Sequence, residues 1–226
     1  KNFSFNRKFI PLNANTTSCR NTSIGAFSTV GNTTGCRNTA SGYNALNVNT
    51  TGTLNTAIGD DALKSNTTAS NNTAVGGCSL FANTTGTNNT AIGIVALAAN
   101  TTGSCNTASG NYALCSNTTA CFNTAVGFRT LAANTTANHN TGLGSFALCR
   151  NTTGTKNTGS GAYALLLNTS GDCNSAFGFA ALIDNTTGSQ NTAVGTRALE
   201  DNTTGALNTA LGRSALNDNT TGEKNT

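Results

Sequence analysis

Asparagines recur in this sequence at a regular spacing, and their side-chain amides could be chemically modified. The triplet Asn-Thr-Thr, replaced once by Asn-Thr-Ser, recurs every 17 residues. It matches the N-x-[ST] pattern, in which the asparagine amide nitrogen accepts an N-linked glycan. The predicted glycosylation row consists of Asn15, Asn32, Asn49, Asn66, Asn83, Asn100, Asn117, Asn134, Asn151, Asn168, Asn185, Asn202 and Asn219.

The same row has a second interpretation that needs no sugar. Another asparagine column, running from Asn21 to Asn225 at the same spacing, is equally regular although most of its members lack the acceptor pattern. Asparagine side chains also satisfy backbone groups at corners or stack as amide ladders. The sequence favours glycosylation of most of the row, with covalent N-glycans forming an outer coat, and leaves a bare Asn/Thr ladder as the alternative.

The eight cysteines favour an oxidising compartment. Cys19 and Cys36 lie 17 residues apart, and Cys105 and Cys121 lie 16 apart. Successive copies stacked at about 4.8 Å would bring each pair within the Cα separation of about 4.4 to 6.8 Å that a disulfide requires. The sequence therefore predicts disulfides in these two pairs, and buried free thiols are the alternative.

Three acidic residues share one repeat position in successive copies, namely Asp184, Asp201 and Asp218. Like charges about 5 Å apart repel each other. A calcium ion could bridge these carboxylates with neighbouring asparagine oxygens. Neutralisation by Arg197 and Arg213 is the favoured alternative, so we expect no bound cofactor.

The remaining residues argue against catalysis and nucleic-acid binding. The chain has one histidine, and its acids are scattered along the sequence, so we expect no enzyme. Asp60 and Asp61 are adjacent, which would place their carboxylates on opposite faces of a strand. The net charge of +4 is too weak and too dispersed for a nucleic-acid interface. No segment approaches the about 20 apolar residues that span a bilayer, so no membrane span is expected.

The expected secondary structure follows from the repeat itself. Twelve copies of NTA-(I/V/L/F/S)-G-x-x-A-L-x-x-NTTG-x-x run without insertion or deletion from Asn21 to Lys224, and we number their positions 1 to 17. A copy of this length is too short for the common helical repeats, and its Gly and Thr content disfavours helix. At about 3.3 Å per residue it suffices for two short strands and two turns. The sequence predicts an all-β, rod-like parallel β-solenoid (β-roll) of about thirteen turns. Residues 1–20 would form an N-terminal cap or docking segment with a degraded thirteenth copy at residues 4–20, and residues 21–226 the twelve repeats and the start of another.

The columns of identical residues predict the core. Position 9 is leucine in eleven of the twelve copies, and position 4 is usually Ile, Val, Leu or Phe. We expect these two columns to face each other inside, and the small residues of position 3 to point to the other face. Glycine occupies position 5 in all twelve copies, which indicates a corner without room for a side chain.

The phrases NTAIG, NTAVG and NTALG resemble the S-V-A-I-G motif of YadA-like trimeric adhesin heads, and the whole unit is similar to repeats of bacterial surface and tail-fibre proteins. The resemblance covers residues 21–226. It implies a left-handed parallel β-roll, with chains side by side, that serves in adhesion or as a stalk. The density of acceptor triplets also resembles that of glycan-coated extracellular fibrils.

We therefore expect a non-enzymatic structural subunit of an extracellular, N-glycosylated fibre or surface adhesin, located at a cell or particle surface. Its expected partners are glycans and further copies of itself, which would assemble head to tail, side by side or both. Basic residues cluster before residue 38 and six of the eight acids follow residue 171, which favours head-to-tail assembly. The alternative is an ice-binding solenoid with Thr/Asn ladders. Against it, the threonines of positions 13 and 14 are adjacent, so we expect no flat T-x-T plane.

Overall fold

The computed structural model describes residues 19–226. Asn15 and all but the last two residues of the predicted cap lie outside the described residues. The described chain forms twelve strands and no helix. The strands are β1 (Thr22–Ile24), β2 (Thr39–Ser41), β3 (Thr56–Ile58), β4 (Thr73–Val75), β5 (Thr90–Ile92), β6 (Thr107–Ser109), β7 (Thr124–Val126), β8 (Thr141–Leu143), β9 (Thr158–Ser160), β10 (Ser175–Phe177), β11 (Thr192–Val194) and β12 (Thr209–Leu211).

The strands form one parallel sheet in sequence order, which confirms the predicted β-solenoid. Each strand occupies positions 2 to 4 of its copy, and each residue pairs with the residue 17 positions along the chain. Thr56 of β3, for example, pairs with Thr73 of β4. The described residues therefore contribute twelve strands. The thirteenth of the expected turns falls largely within residues 4–20, outside the described part.

The rest of each turn is not a second strand, so that part of the prediction is wrong. Positions 7, 9 and 17 have left-handed backbone, for example Arg129 and Leu131, both with φ of 53°. Two left-handed residues so close together bend the chain and prevent an extended segment. Hydrogen bonds between turns continue here, as from the Leu131 N–H to the Ala147 carbonyl at 3.0 Å.

Position 5 forms the predicted corner. Every glycine there has a φ between 119° and 143°, a range that residues with a side chain rarely adopt. A Cβ added to Gly127 would lie 2.6 Å from the carbonyl carbon of Gly144 in the next turn. Both the backbone conformation and the close approach of the next turn therefore require glycine.

The apolar half of the core consists of the leucines of position 9 and the alanines of positions 3 and 8. Leu131 and Ala125, for instance, are both 0% exposed. The prediction that position 4 lies inside is wrong, because alternation along the strand turns it outward when position 3 faces in; Ile92 is 45% exposed. The interior has no room for a second column of large side chains beside the leucines of position 9. A Cβ added to Gly159 at position 3 would already lie 3.4 Å from Cγ of Leu148.

Candidate functional site

The predicted glycosylation row lies in the interior. From Asn32 to Asn202 every asparagine of position 12 is buried, with exposed fractions of 0 to 3%. The Asn117 amide nitrogen donates to Oδ1 of Asn100 in the preceding turn at 2.9 Å. It also donates to the Ala120 carbonyl at position 15 of its own turn, at 3.1 Å. The same two bonds recur from turn to turn, so the row is a continuous amide ladder.

This placement corrects the expectation that the row points outward. An asparagine side-chain nitrogen has two hydrogens, and both are used in the ladder. A glycan would replace one of them and would need space outside the chain. In this fold a glycan on the buried row and the amide ladder therefore exclude each other. The Thr/Asn ladder that the sequence left as the alternative is what the structure contains.

The second asparagine column, at position 1, lines the same side of the interior. Oδ1 of Asn106 accepts the Asn123 N–H at 3.0 Å. The Asn106 side-chain nitrogen donates to the Ala120 carbonyl at 2.8 Å. The two columns thus converge on the position 15 carbonyl, which receives one amide from each. Half of the interior is consequently held by hydrogen bonds instead of apolar contacts.

Two acceptor asparagines outside the row lie on the surface. Asn71 and Asn88 occupy position 17 of successive turns, both are exposed, and both begin the triplet Asn-Asn-Thr. Their left-handed backbone, with φ of 61° and 58°, directs position 17 away from the core. N-glycans at these two positions are compatible with the fold.

The structure brings the first predicted cysteine pair together. Sγ of Cys19 lies 2.8 Å from Sγ of Cys36, and both residues are free thiols. The Cys19 N–H also donates to Sγ of Cys36 at 3.1 Å. Hydrogen bonds from the Cys19 thiol and backbone lower the pKa of Cys36, and the same thiol hydrogen bond raises the pKa of Cys19. Cys36 is therefore the more nucleophilic of the pair at neutral pH.

The second predicted pair, Cys105 and Cys121, occupies neighbouring positions of successive turns. Sγ of Cys121 at position 16 accepts the N–H of Ser104, the position 16 residue of the preceding turn, at 3.2 Å. Cys105 is the next residue along, at exposed position 17 with a φ of 60°. The two cysteines thus lie one position apart on successive turns, and their disulfide stays a prediction.

The three position 11 aspartates do not assemble a metal site. Within residues 19–226 no group of three His, Cys, Asp or Glu side chains is placed to hold an ion. Within the described residues neither Arg197 nor Arg213 forms an ion pair with any of these aspartates, and Nε of Arg197 lies 3.5 Å from Oε1 of Glu200 instead.

An aromatic ladder on the surface was not anticipated from the sequence. Tyr112, Phe128, Phe146, Tyr163 and Phe179 lie at position 6 or 7 of five successive turns. Neighbouring ring centroids are 5.3 to 6.5 Å apart. Four of the five rings are exposed, and Phe146 is half-buried. The signal was present in the sequence as an aromatic residue one or two places after the corner glycine in each of these copies.

A hollow of about 290 Å³ lies beside the ladder. Alanines at positions 10 and 11 of one turn form its floor, while Arg129, Arg150, Cys115 and Cys149 line it. Burial raises the pKa of Cys149, and the charge of Arg129 partly offsets that effect. The Cys149 thiol is therefore protonated at neutral pH, and no acidic side chain lines the hollow.

Comparison with known proteins adds no family to these observations. No protein-family model and no curated protein matches the chain. Within the described residues, no helix has the length and apolar character needed to cross a bilayer.

Proposed function

We propose that this chain is a non-enzymatic structural rod that serves in an extracellular fibre or as a surface adhesin. The observation that carries the proposal is the unbroken register from β1 to β12, in which every strand pairs only with the strands of the adjacent turns. In such a solenoid each turn is the template for the next, so the fold specifies length and a straight surface instead of a catalytic pocket.

The distribution of constant and variable positions supports a display role. Positions 1, 5 and 12 are nearly invariant because they hold the interior and the corner together. Positions 6, 7, 10, 11, 16 and 17 vary in size and charge between copies. A constant scaffold with variable outer columns presents surface chemistry at a fixed spacing of about 4.8 Å.

The proposal assigns the acceptor row a structural role. The buried asparagines of position 12 stay unmodified and form the amide ladder. Glycans on the described part of the chain, where the protein is made with them, are attached at Asn71 and Asn88, whose side chains are exposed.

Electron microscopy and small-angle scattering of the natively isolated protein test the structural role. Eleven steps of about 4.8 Å give residues 19–226 a length of about 53 Å along the stack. We expect rods of this length per chain that associate into filaments or coat a cell or particle surface. A monodisperse compact particle that neither forms filaments nor associates with a cell or particle surface would contradict the proposal.

One observation favours ice binding as a second candidate. Positions 14 and 16 both face outward with position 15 buried between them, as in the segment Thr51, Gly52 and Thr53. Position 16 is threonine in only three copies, at Thr53, Thr87 and Thr155, and these copies are not adjacent, so they form no T-x-T plane. Position 14 is threonine in every copy but one, and such a row at a spacing of about 4.8 Å could order water.

Thermal hysteresis separates the two candidates. If the position 14 and 16 columns bind ice, the protein depresses the freezing point below the melting point, and Thr51→Tyr reduces the gap. The matched variant Thr124→Tyr, at position 2 and so outside these two columns, leaves it unchanged. A solution without hysteresis removes this candidate.

A further inference from the structure

We propose that the hollow beside the aromatic ladder binds a carboxylate-bearing sugar, with the adjoining units of an acidic polysaccharide lying along the ladder. This proposal rests on the proposed function in one respect, namely that the outer columns of the rod are accessible to a binding partner. The compact particle described above would remove the structural role, whereas the binding experiments below decide this site.

Two guanidinium groups supply the positive charge. Arg129 and Arg150 line the hollow, and neither is ion-paired with an acidic residue of the described chain. Guanidinium groups bind carboxylates through paired, charge-assisted hydrogen bonds. Because the Cys149 thiol stays neutral, it does not cancel this charge.

The size of the hollow favours one sugar ring over a longer buried ligand. Its volume of about 290 Å³ is at the lower end of the range of about 300 to 1,000 Å³ that is usual for small-molecule sites. The hollow exists because Ala132 and Ala133 replace the larger residues of adjacent copies, such as Cys149 and Arg150. The other units of a bound chain must therefore lie outside it.

Arg129 joins the hollow to the ladder. It occupies position 7 between Tyr112 and Phe146 of the adjacent turns. Its guanidinium carbon lies 5.9 Å from the centroid of the Tyr112 ring, within the range of a cation–π contact. The C–H faces of pyranose rings pack against aromatic rings, so a sugar whose carboxylate binds Arg129 can place its neighbours over the ladder.

A carboxylate-bearing sugar fits better than a small inorganic anion. Phosphate or sulfate would engage the guanidinium groups and leave the exposed rings without a partner. A chain of uronic acid units uses both features, and its repeat is comparable in length to the spacing of about 4.8 Å between turns.

Calorimetry with a galacturonate hexamer tests the site on the full chain under reducing conditions. The double variant Arg129→Gln, Arg150→Gln should bind about tenfold more weakly or worse, because it loses charge-assisted hydrogen bonds. Arg197→Gln is the matched control, since Arg197 also occupies position 7 but pairs with Glu200. It should bind the hexamer as the wild type does. Equal losses in both variants would mean diffuse attraction and would overturn the proposal.

The ladder and the ligand each have their own control. Phe146→Ala should weaken binding several-fold, while Phe27→Ala, at position 7 of the first copy, should not. The methyl ester of the hexamer lacks the charge and should bind about tenfold more weakly than the acid. Equal affinity for ester and acid would overturn the proposal, as would a self-association of the chain that Phe146→Ala abolishes while hexamer binding stays unchanged.

Discussion

At the scale of single residues, a larger side chain at one interior position is matched by a smaller residue at a neighbouring interior position. Position 8 is alanine in most copies, but it is threonine at Thr130. Position 3 of the next turn is glycine at Gly142, and a Cβ there would lie 2.5 Å from Cγ2 of Thr130. The absence of a Cβ at Gly142 therefore makes room for the larger side chain of Thr130.

This pairing predicts a compensating double mutant. Gly142→Ala should lower the free energy of unfolding by about 1 to 3 kcal/mol through overpacking. Thr130→Ala in the same chain should recover much of that loss, because it removes the clashing methyl group. Gly159→Ala is the matched control, with Leu148 Cγ at 3.4 Å, and should cost less than Gly142→Ala. Denaturant unfolding of the wild type, both single variants, the double variant and the control measures these effects, and strict additivity of the two substitutions would refute the pairing.

The amide ladder gives a second prediction at this scale. Asn117→Ala removes two donors and leaves Oδ1 of Asn100 without its partner inside the protein. An unsatisfied buried polar group costs about 1 to 3 kcal/mol, and we expect a loss of stability of at least that size. Thr119→Ala changes an exposed residue of the same corner and should alter stability by less than about 0.5 kcal/mol. If the two variants were equally stable, the ladder would not contribute as described.

Thiol reactivity tests the pKa directions. The pKa of Cys36 is lowered by hydrogen bonds from Cys19, and that of Cys149 is raised by burial. Under reducing conditions iodoacetamide should therefore alkylate Cys36 well before Cys149 at neutral pH. Cys19→Ala removes the thiol donor and should slow the reaction of Cys36. Peptide mapping against time measures both rates, and an unchanged rate in the variant would contradict the assigned cause.

At the scale of the element, the 17-residue period determined the fold, whereas the inward and outward faces were harder to predict. The parallel register and the corner glycine follow directly from the spacing. A three-residue strand is too short to show from its sequence which side chains face the interior. The sequence therefore predicts an inward side chain at position 4, whereas Ile92 at that position is 45% exposed. An invariant asparagine column is equally compatible with an outer sugar row and an inner amide ladder. The left-handed backbone of Leu131 and its equivalents has no signal in residue type, because leucine rarely adopts it.

Deleting one copy tests the turn as the structural unit. Removal of residues 72–88 takes out one complete turn and leaves every later residue in its column. We expect a folded rod shorter by about 4.8 Å and little change in its circular dichroism per residue. Removal of residues 73–88, one residue fewer, misplaces the following columns at the junction and should lower the melting temperature markedly. Similar stability of both deletions would mean that the register is not set by the 17-residue copy.

At the scale of the whole molecule, the interior and the outer surface of the rod serve different purposes. The interior is divided between leucine and alanine on one side and asparagine ladders on the other, and it repeats almost unchanged. The aromatic ladder and the arginine hollow occur in only part of the rod, because they depend on residues at the variable positions. A binding surface can thus change along the length without any change in the scaffold.

Site-resolved glycopeptide mapping of the natively isolated protein tests the central claim most directly, namely that the acceptor row is an interior ladder. We predict that peptides containing Asn117 and Asn134 are unmodified, and that any glycans on residues 19–226 map to Asn71 and Asn88. Glycans on Asn117 and Asn134 would contradict the buried ladder, because neither nitrogen has a free hydrogen or open space in this fold.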